Sequence, residues 1–291
     1  MLLTVLEITA PVFLLGTVGV VWAWVGVAYD FAFVSRLVLN VSLPCLVFST
    51  LAVTELSPAA MAEMAGASVL AFFLSGLVMW GLLRAFDLSI RSWWTASVFG
   101  NTGNFGLPLC LFAFGEQGLA LGMVLFAVAV VFQFTLGLGV IAGRGQIGAV
   151  LRQPMVYAAA AGALVAALGW QIPEIALRSM GLAGQIAIPL MLITLGVSIA
   201  QLETSSTGRA ALVTALRSTV LIAAAVASGW ALDLGPLAFG VLVLQFATPA
   251  AVTVYMMTAR YGEGSGAVAG LVLLSTLLAV VVVPAVLPFL L

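Results

Sequence analysis

Histidine and lysine are missing from this sequence, and its nine basic residues are all arginine. Without histidine the commonest general base and metal ligand is gone. Without basic clusters no surface can neutralise a run of phosphates, which excludes nucleic acid as a partner. Only 7% of the residues are charged, against about a quarter in a soluble domain. The carboxylates are thinly spread: Asp30, Asp87 and Asp233 fall at loops, and Glu116 follows an apolar run. Intramembrane proteases need paired aspartates, a Ser–His pair or a metal site, so a membrane-embedded enzyme is the weakest functional class. A cation–proton antiporter built on paired aspartates fails on the same ground. Cys45 and Cys110 both lie inside apolar runs and read as buried thiols, not as a disulfide framework. No metal or organic cofactor is called for.

What fills the sequence instead is apolar: 64% of residues are hydrophobic and the mean hydropathy is +1.29. Water cannot solvate such a surface, and the apolar runs recur along the whole length, so the lipid bilayer is the solvent throughout. A span needs about 20 mostly apolar residues. Runs of that kind predict ten spans, at about 4–26, 34–54, 60–83, 92–114, 117–142, 154–170, 182–202, 208–231, 236–259 and 266–290. The stretch 171–181 either extends the sixth or lies in the interface. The first run lacks a basic leader and carries Glu7, so it reads as a span and not as a signal peptide.

Arginine placement orients the spans, because cytoplasmic loops collect basic residues. The odd-numbered connections and their flanks hold Arg36, Arg84, Arg91, Arg144, Arg152, Arg209, Arg217 and Arg260; the even-numbered ones hold only Arg178. A missed helix would scramble this parity. Both termini are therefore predicted on the non-cytoplasmic side.

The longest cytoplasmic connection, 143–153, divides the chain into halves 1–142 and 154–291, and the halves echo each other. VSLPCLVFSTLAV in span two and IAIPLMLITLGVS in span seven share a proline within an apolar run, and Pro108 in span four matches Pro249 in span nine. The offsets are 145 residues for Pro44 to Pro189 and 141 for Pro108 to Pro249. Five spans separate each pair, and an odd number of crossings reverses direction, which predicts a five-plus-five inverted repeat.

The most informative segment is GNTGNFGLPL, residues 100–109, in the middle of span four. Proline removes a backbone donor and glycine weakens the helix, while asparagine and threonine are costly facing lipid. A kink needs Pro or Gly alone; it does not need Asn101, Thr102 and Asn104 as well. The segment is tolerable where a broken helix turns its freed groups to protein or a watery cavity. Span nine offers the partner, LQFATPAAVTVYMMTARYG, with Gln245, Thr248 and Pro249 near its centre. The second halves of the two helices point their N-termini at each other, and such termini favour an anion such as a carboxylate. The preceding C-terminal ends offer carbonyls for a cation or a proton-bearing group.

NTGNFGLPL together with TPAAVTVYMMTARYG resembles the bacterial auxin efflux carrier family, relatives of the plant PIN carriers. LVLNVSLPCLVFSTL and AIPLMLITLGVSIAQ also match the family's habits. The resemblance covers essentially the whole chain. It implies ten helices in a five-plus-five inverted fold, with helices four and nine crossing at their proline-broken centres and a scaffold beside them in an elevator-like cycle. It also implies transport of a small organic anion, auxin-like or a dicarboxylate. Carried over residue by residue, the substrate-binding positions are Asn101, Thr102, Gly103, Asn104, Gly106 and Pro108 with Gln245, Thr248, Pro249 and Ala250. Plant members have a polar or basic residue soon after the span-two proline; here that stretch offers only Ser49 and Thr50. Neither charge-mediated steering from that helix nor auxin itself carries over.

Ser49, Thr194 and Ser198 are candidate cavity-lining residues, and Glu7 is the candidate for proton coupling. Gln133 and Gln185 read as bonds between helices. The coupling ion, H+ or Na+, and homodimerisation stay open. A secondary carrier is the leading class; a channel or a structural membrane protein is the alternative.

Overall fold

The computed structural model of the protein describes residues 2–143, 148, 151–202, 207–262 and 264–291. Helix makes up 84% of it, and no strand occurs among the described residues. In hydrocarbon every backbone N–H and C=O must be paired, and a helix does this within one segment. Seven helices among the described residues are long and apolar enough to cross a bilayer.

The chain begins with α1 (Leu2–Trp24), α2 (Phe31–Ala52) and α3 (Pro58–Ala85). Asp30 and Ser57 cap α2 and α3 by accepting from Phe33 N and Ala60 N. Within α2 a π-turn spans Val38–Ser42, two residues ahead of Pro44. Proline has no N–H and its ring pushes away the carbonyl four residues back, here that of Asn40, and the widened turn absorbs both effects. The same arrangement recurs at Thr102–Gly106 ahead of Pro108.

After α4 (Ile90–Val98) the chain is helical over Thr102–Ala142, 41 residues. At about 1.5 Å per residue this would run roughly twice the ~30 Å of a hydrocarbon core. It does not run straight. Gly115 sits at φ 65°, ψ −159°, a region open to glycine alone. Gly122 consequently packs against Cys110, residues that an unbroken helix would hold ~18 Å apart. We label the two arms α5 (102–114) and α6 (116–142).

The remainder comprises α7 (Pro154–Leu168), α8 (Glu174–Ala200), α9 (Thr207–Ala231), α10 (Pro236–Phe246), α11 (Val252–Tyr261) and α12 (Ser265–Phe289). Most of the stretch 171–181 neither extends span six nor stands alone: it forms the first turns of α8, beginning at Glu174. The central connection, expected at 143–153, falls largely outside the described residues, as does Arg144. The arginine parity loses one member: Arg217 is a buried residue of α9, 1% exposed, and not a loop-flanking one.

Two apolar cores organise the helices. The smaller joins Leu43, Val47 and Leu51 of α2 to Met155 of α7, Met191 of α8 and Leu107, Leu119 and Met123 of the α5–α6 hairpin. The larger joins α3 and α4 to α9, α10, α11 and α12 and takes in Val5, Ile8 and Val12 of α1, Leu192 and Leu195 of α8 and buried residues of α5 and α6. Helices α1 and α8 cross closely because Gly19 and Gly196 carry no side chain; a Cβ at Gly19 would collide with the carbonyl of Ile193, and one at Gly196 with the carbonyl of Gly16.

Candidate functional site

Helices α4 and α10 both stop within the protein, and the chain crosses itself where they do. Phe99 to Asn101 runs extended and antiparallel to Pro249 to Ala251, with Gly100 opposite Ala250. Asn101 N donates to Pro249 O at 2.7 Å and Ala251 N donates to Phe99 O at 3.2 Å. These reciprocal bonds satisfy backbone groups that the breaks would leave unpaired. Gly100 is required here, because a Cβ would run into the Thr248 hydroxyl. Beyond the crossing each chain re-enters helix. Asn101 Oδ1 accepts from Asn104 N at 3.1 Å and Asn101 O accepts from Phe105 N and Gly106 N, starting α5.

Polar side chains brace the crossing from within. Thr248 Oγ1 donates to Gln245 O at 2.6 Å, and Ser275 Oγ of α12 accepts from Ala250 N at 2.9 Å. The fully buried Gln245 amide lies against Gly106 and Gly122 and donates to Cys110 Sγ at 3.4 Å. Arg217 reaches in from α9: Nε donates to Ser97 O at 3.3 Å and Nη1 donates to Thr248 O at 3.1 Å.

Beside the crossing lies a cavity of about 110 Å³. Its walls come from four helices. Asn104 at the start of α5 and Val252, Thr253 and Met256 at the start of α11 face Met191, Thr194 and Ser198 of α8 and Phe31, Ser35, Val38 and Leu39 of α2. Both second half-helices thus present residues of their first turn to one small chamber, mostly apolar but carrying the Asn104 amide and the hydroxyls of Ser35, Thr194, Ser198 and Thr253. Its hydroxyls are oriented: Tyr29 Oη and Thr194 Oγ1 are 2.6 Å apart, and Ser198 Oγ donates to Thr194 O at 2.7 Å. Gln133 Nε2 of α6 donates to Thr253 Oγ1 at 2.8 Å, an interhelical bond as its sequence context predicts.

All ten substrate-binding positions expected from the sequence converge on the crossing. Only Asn104 is among the residues lining the chamber; Asn101, Thr102, Gly103, Gly106, Pro108, Gln245, Thr248, Pro249 and Ala250 are buried at or beside the crossing itself. Thr194 and Ser198 line the chamber. Ser49 does not: it faces a shallow surface pocket with Thr50, Glu116 and Arg178. Glu7 is exposed on α1. Sequence reasoning missed Thr253, Tyr29 and Arg217; the depth of Arg217 within an apolar run is the signal that marks it. A larger groove of about 410 Å³ between α3, α4 and α6 is lined by aromatic and aliphatic side chains, several of them exposed to the bilayer. The indole N–H of Trp94 there already donates to Gly76 O at 2.8 Å.

An all-helical membrane protein with paired helix breaks around a small chamber has the build of a membrane transporter. Comparison with known proteins agrees: the Membrane transport protein family matches residues 28–153 and 147–287. A protein of Methanothermobacter thermautotrophicus described as an uncharacterized transporter is 25% identical over 269 residues, covering 88% of this chain and 87% of that one. The chain belongs to the Membrane transport protein family, that of the auxin efflux carriers, and is a transporter and not an enzyme.

Proposed function

We propose that the protein carries a small organic anion across the cytoplasmic membrane by alternating access at the crossing. The observation that carries this reading is the chamber, where the first turns of α5 and α11 meet the hydroxyls of α8. Two helix N-termini supply partial positive charge for a carboxylate, and Asn104, Thr194 and Thr253 supply neutral hydrogen bonds. Drug-sized ligands fill roughly 300–1,000 Å³. A chamber of about 110 Å³ favours short aliphatic mono- and dicarboxylates over bicyclic aromatic acids.

The same reading takes the chain as ten crossings in a five-plus-five inverted repeat, with α4–α5 and α10–α11 as broken helices four and nine. Beyond the matching prolines, the ends of α3 and α9 support it. Both close on an aspartate at positive φ, Asp87 at 52° and Asp233 at 50°. Both are followed by a leucine N–H bonded five residues back, Leu88 to Leu83 O and Leu234 to Gly229 O. Helices α1, α2, α7 and α8 form a scaffold, and the crossing with its bundle slides against it, carrying the chamber between the two faces. Both termini lie on the non-cytoplasmic side, so the chamber mouth near Phe31 and Ser35 opens to the cytoplasm. No proton-coupling role is proposed for Glu7.

Uptake into proteoliposomes of a panel of short carboxylates, with and without proton or sodium gradients, tests this. Saturable transport that falls at least about tenfold in Asn104→Ala and Pro249→Ala supports the site; full transport in both variants refutes it.

A further inference from the structure

Arg217 has no evident place in the chamber, yet it is the largest fully buried side chain among the described residues. It stands ten residues into α9, too deep to reach water from the helix end. Among the described residues no carboxylate pairs with it. An arginine keeps its proton in proteins, so the interior holds a full positive charge. What it touches is informative. Its donors go to Ser97 O, at the C-terminal end of α4, and to Thr248 O, just past the C-terminal end of α10. Each helix C-terminus carries about half a negative charge on its unpaired carbonyls. Two such ends gathered on one guanidinium sum to about one negative charge, which that group balances. Its third nitrogen, Nη2, is buried without a partner among the described residues.

Where discontinuous helices end in a membrane, such carbonyl clusters are the places that coordinate sodium. We propose that Arg217 is the resident cation of the crossing: its guanidinium occupies the carbonyl cluster formed by the ends of α4 and α10, and so takes the place of a bound monovalent metal ion there. The crossing then needs no sodium to stay folded, and it keeps its positive charge throughout a transport cycle. The inference rests on the crossing being the centre of the transporter but not on any substrate.

The test compares melting temperatures of purified protein in NaCl and in choline chloride at equal ionic strength. The wild type melts at the same temperature in both. Arg217→Ala melts lower in choline and recovers saturably with Na+, by on the order of 3 °C once Na+ is well above its dissociation constant. Arg217→Lys, whose ammonium can still meet the carbonyls, stays insensitive to Na+. A saturable Na+ stabilisation of the wild type overturns the proposal. So does a folded Arg217→Ala protein that gains none. If Arg217→Ala does not fold, Arg217→Lys decides: folded and Na+-insensitive supports the proposal, while loss of fold in both variants assigns Arg217 a packing role and overturns it. Because no substrate is added, failure of the carboxylate reading leaves this result unchanged.

Discussion

Replacing Gly106 with alanine sets two physical effects of opposite sign against each other. Gly106 lies at φ −73°, ψ −44°, ordinary helical backbone, and in such a position alanine gains roughly 0.5–1 kcal/mol over glycine. The structure demands the reverse. A Cβ on Gly106 would overlap Gln245 Oε1 and lie 2.7 Å from its Cδ and 3.1 Å from its Nε2. The amide cannot swing aside, because Gln245 is fully buried and also packs on Gly122 and Cys110. Overpacking of this kind costs about 1–3 kcal/mol. At roughly 2–4 °C per kcal/mol for a chain of this order, Gly106→Ala should lower the melting temperature in detergent by several degrees. The double variant Gly106→Ala with Gln245→Ala frees the overlapping volume and should recover about 1–2 kcal/mol of that loss as coupling. A stabilised Gly106→Ala protein, or strictly additive single effects, would refute the account of how the two broken helices interlock.

Other outcomes follow from the same contacts. Asn104→Ala removes a half-buried side chain at the chamber wall, so transport efficiency should fall about tenfold to a hundredfold while the melting temperature stays within a degree or two. Thr253→Val breaks the bond from Gln133 and should cost about 1 kcal/mol of stability, measured as a lower melting temperature with helicity unchanged. Gly196→Ala pushes a methyl into the carbonyl of Gly16 and should lower the melting temperature by about 5 °C or more. The corresponding change at Gly66, where a Cβ meets nothing, should leave it unchanged or raise it slightly.

The parts of this architecture that follow from solvation were legible in the residues. Apolar run length locates the helices, and Asn, Thr, Gly and Pro together in one run locate the breaks, because lipid tolerates none of them without protein partners. The misreadings have one cause: composition carries no depth. Arginine parity groups Arg217 with the loop arginines because it treats any arginine near a span end alike, yet Arg217 lies about 15 Å along α9 at 1.5 Å per residue. Composition likewise does not show that the Thr248 hydroxyl donates to Gln245 O within the crossing. Thr253 reads as an ordinary helix residue until the crossing turns the first turn of α11 toward α8. Ser49 follows Pro44 on the helix that lines the chamber, yet the chamber uses the earlier turns, Phe31 to Leu39, and leaves Ser49 on the far end.

The central claim, that the chamber at the crossing takes the anion and opens to one side at a time, is tested most directly by accessibility. With Asn104→Cys introduced and Cys45 replaced, Cys110 remaining fully buried, a membrane-impermeant thiol reagent is applied to oriented vesicles. The account predicts labelling from the cytoplasmic face, slowed by whichever short carboxylate is transported. Labelling that is equal from both faces and indifferent to every carboxylate would contradict it.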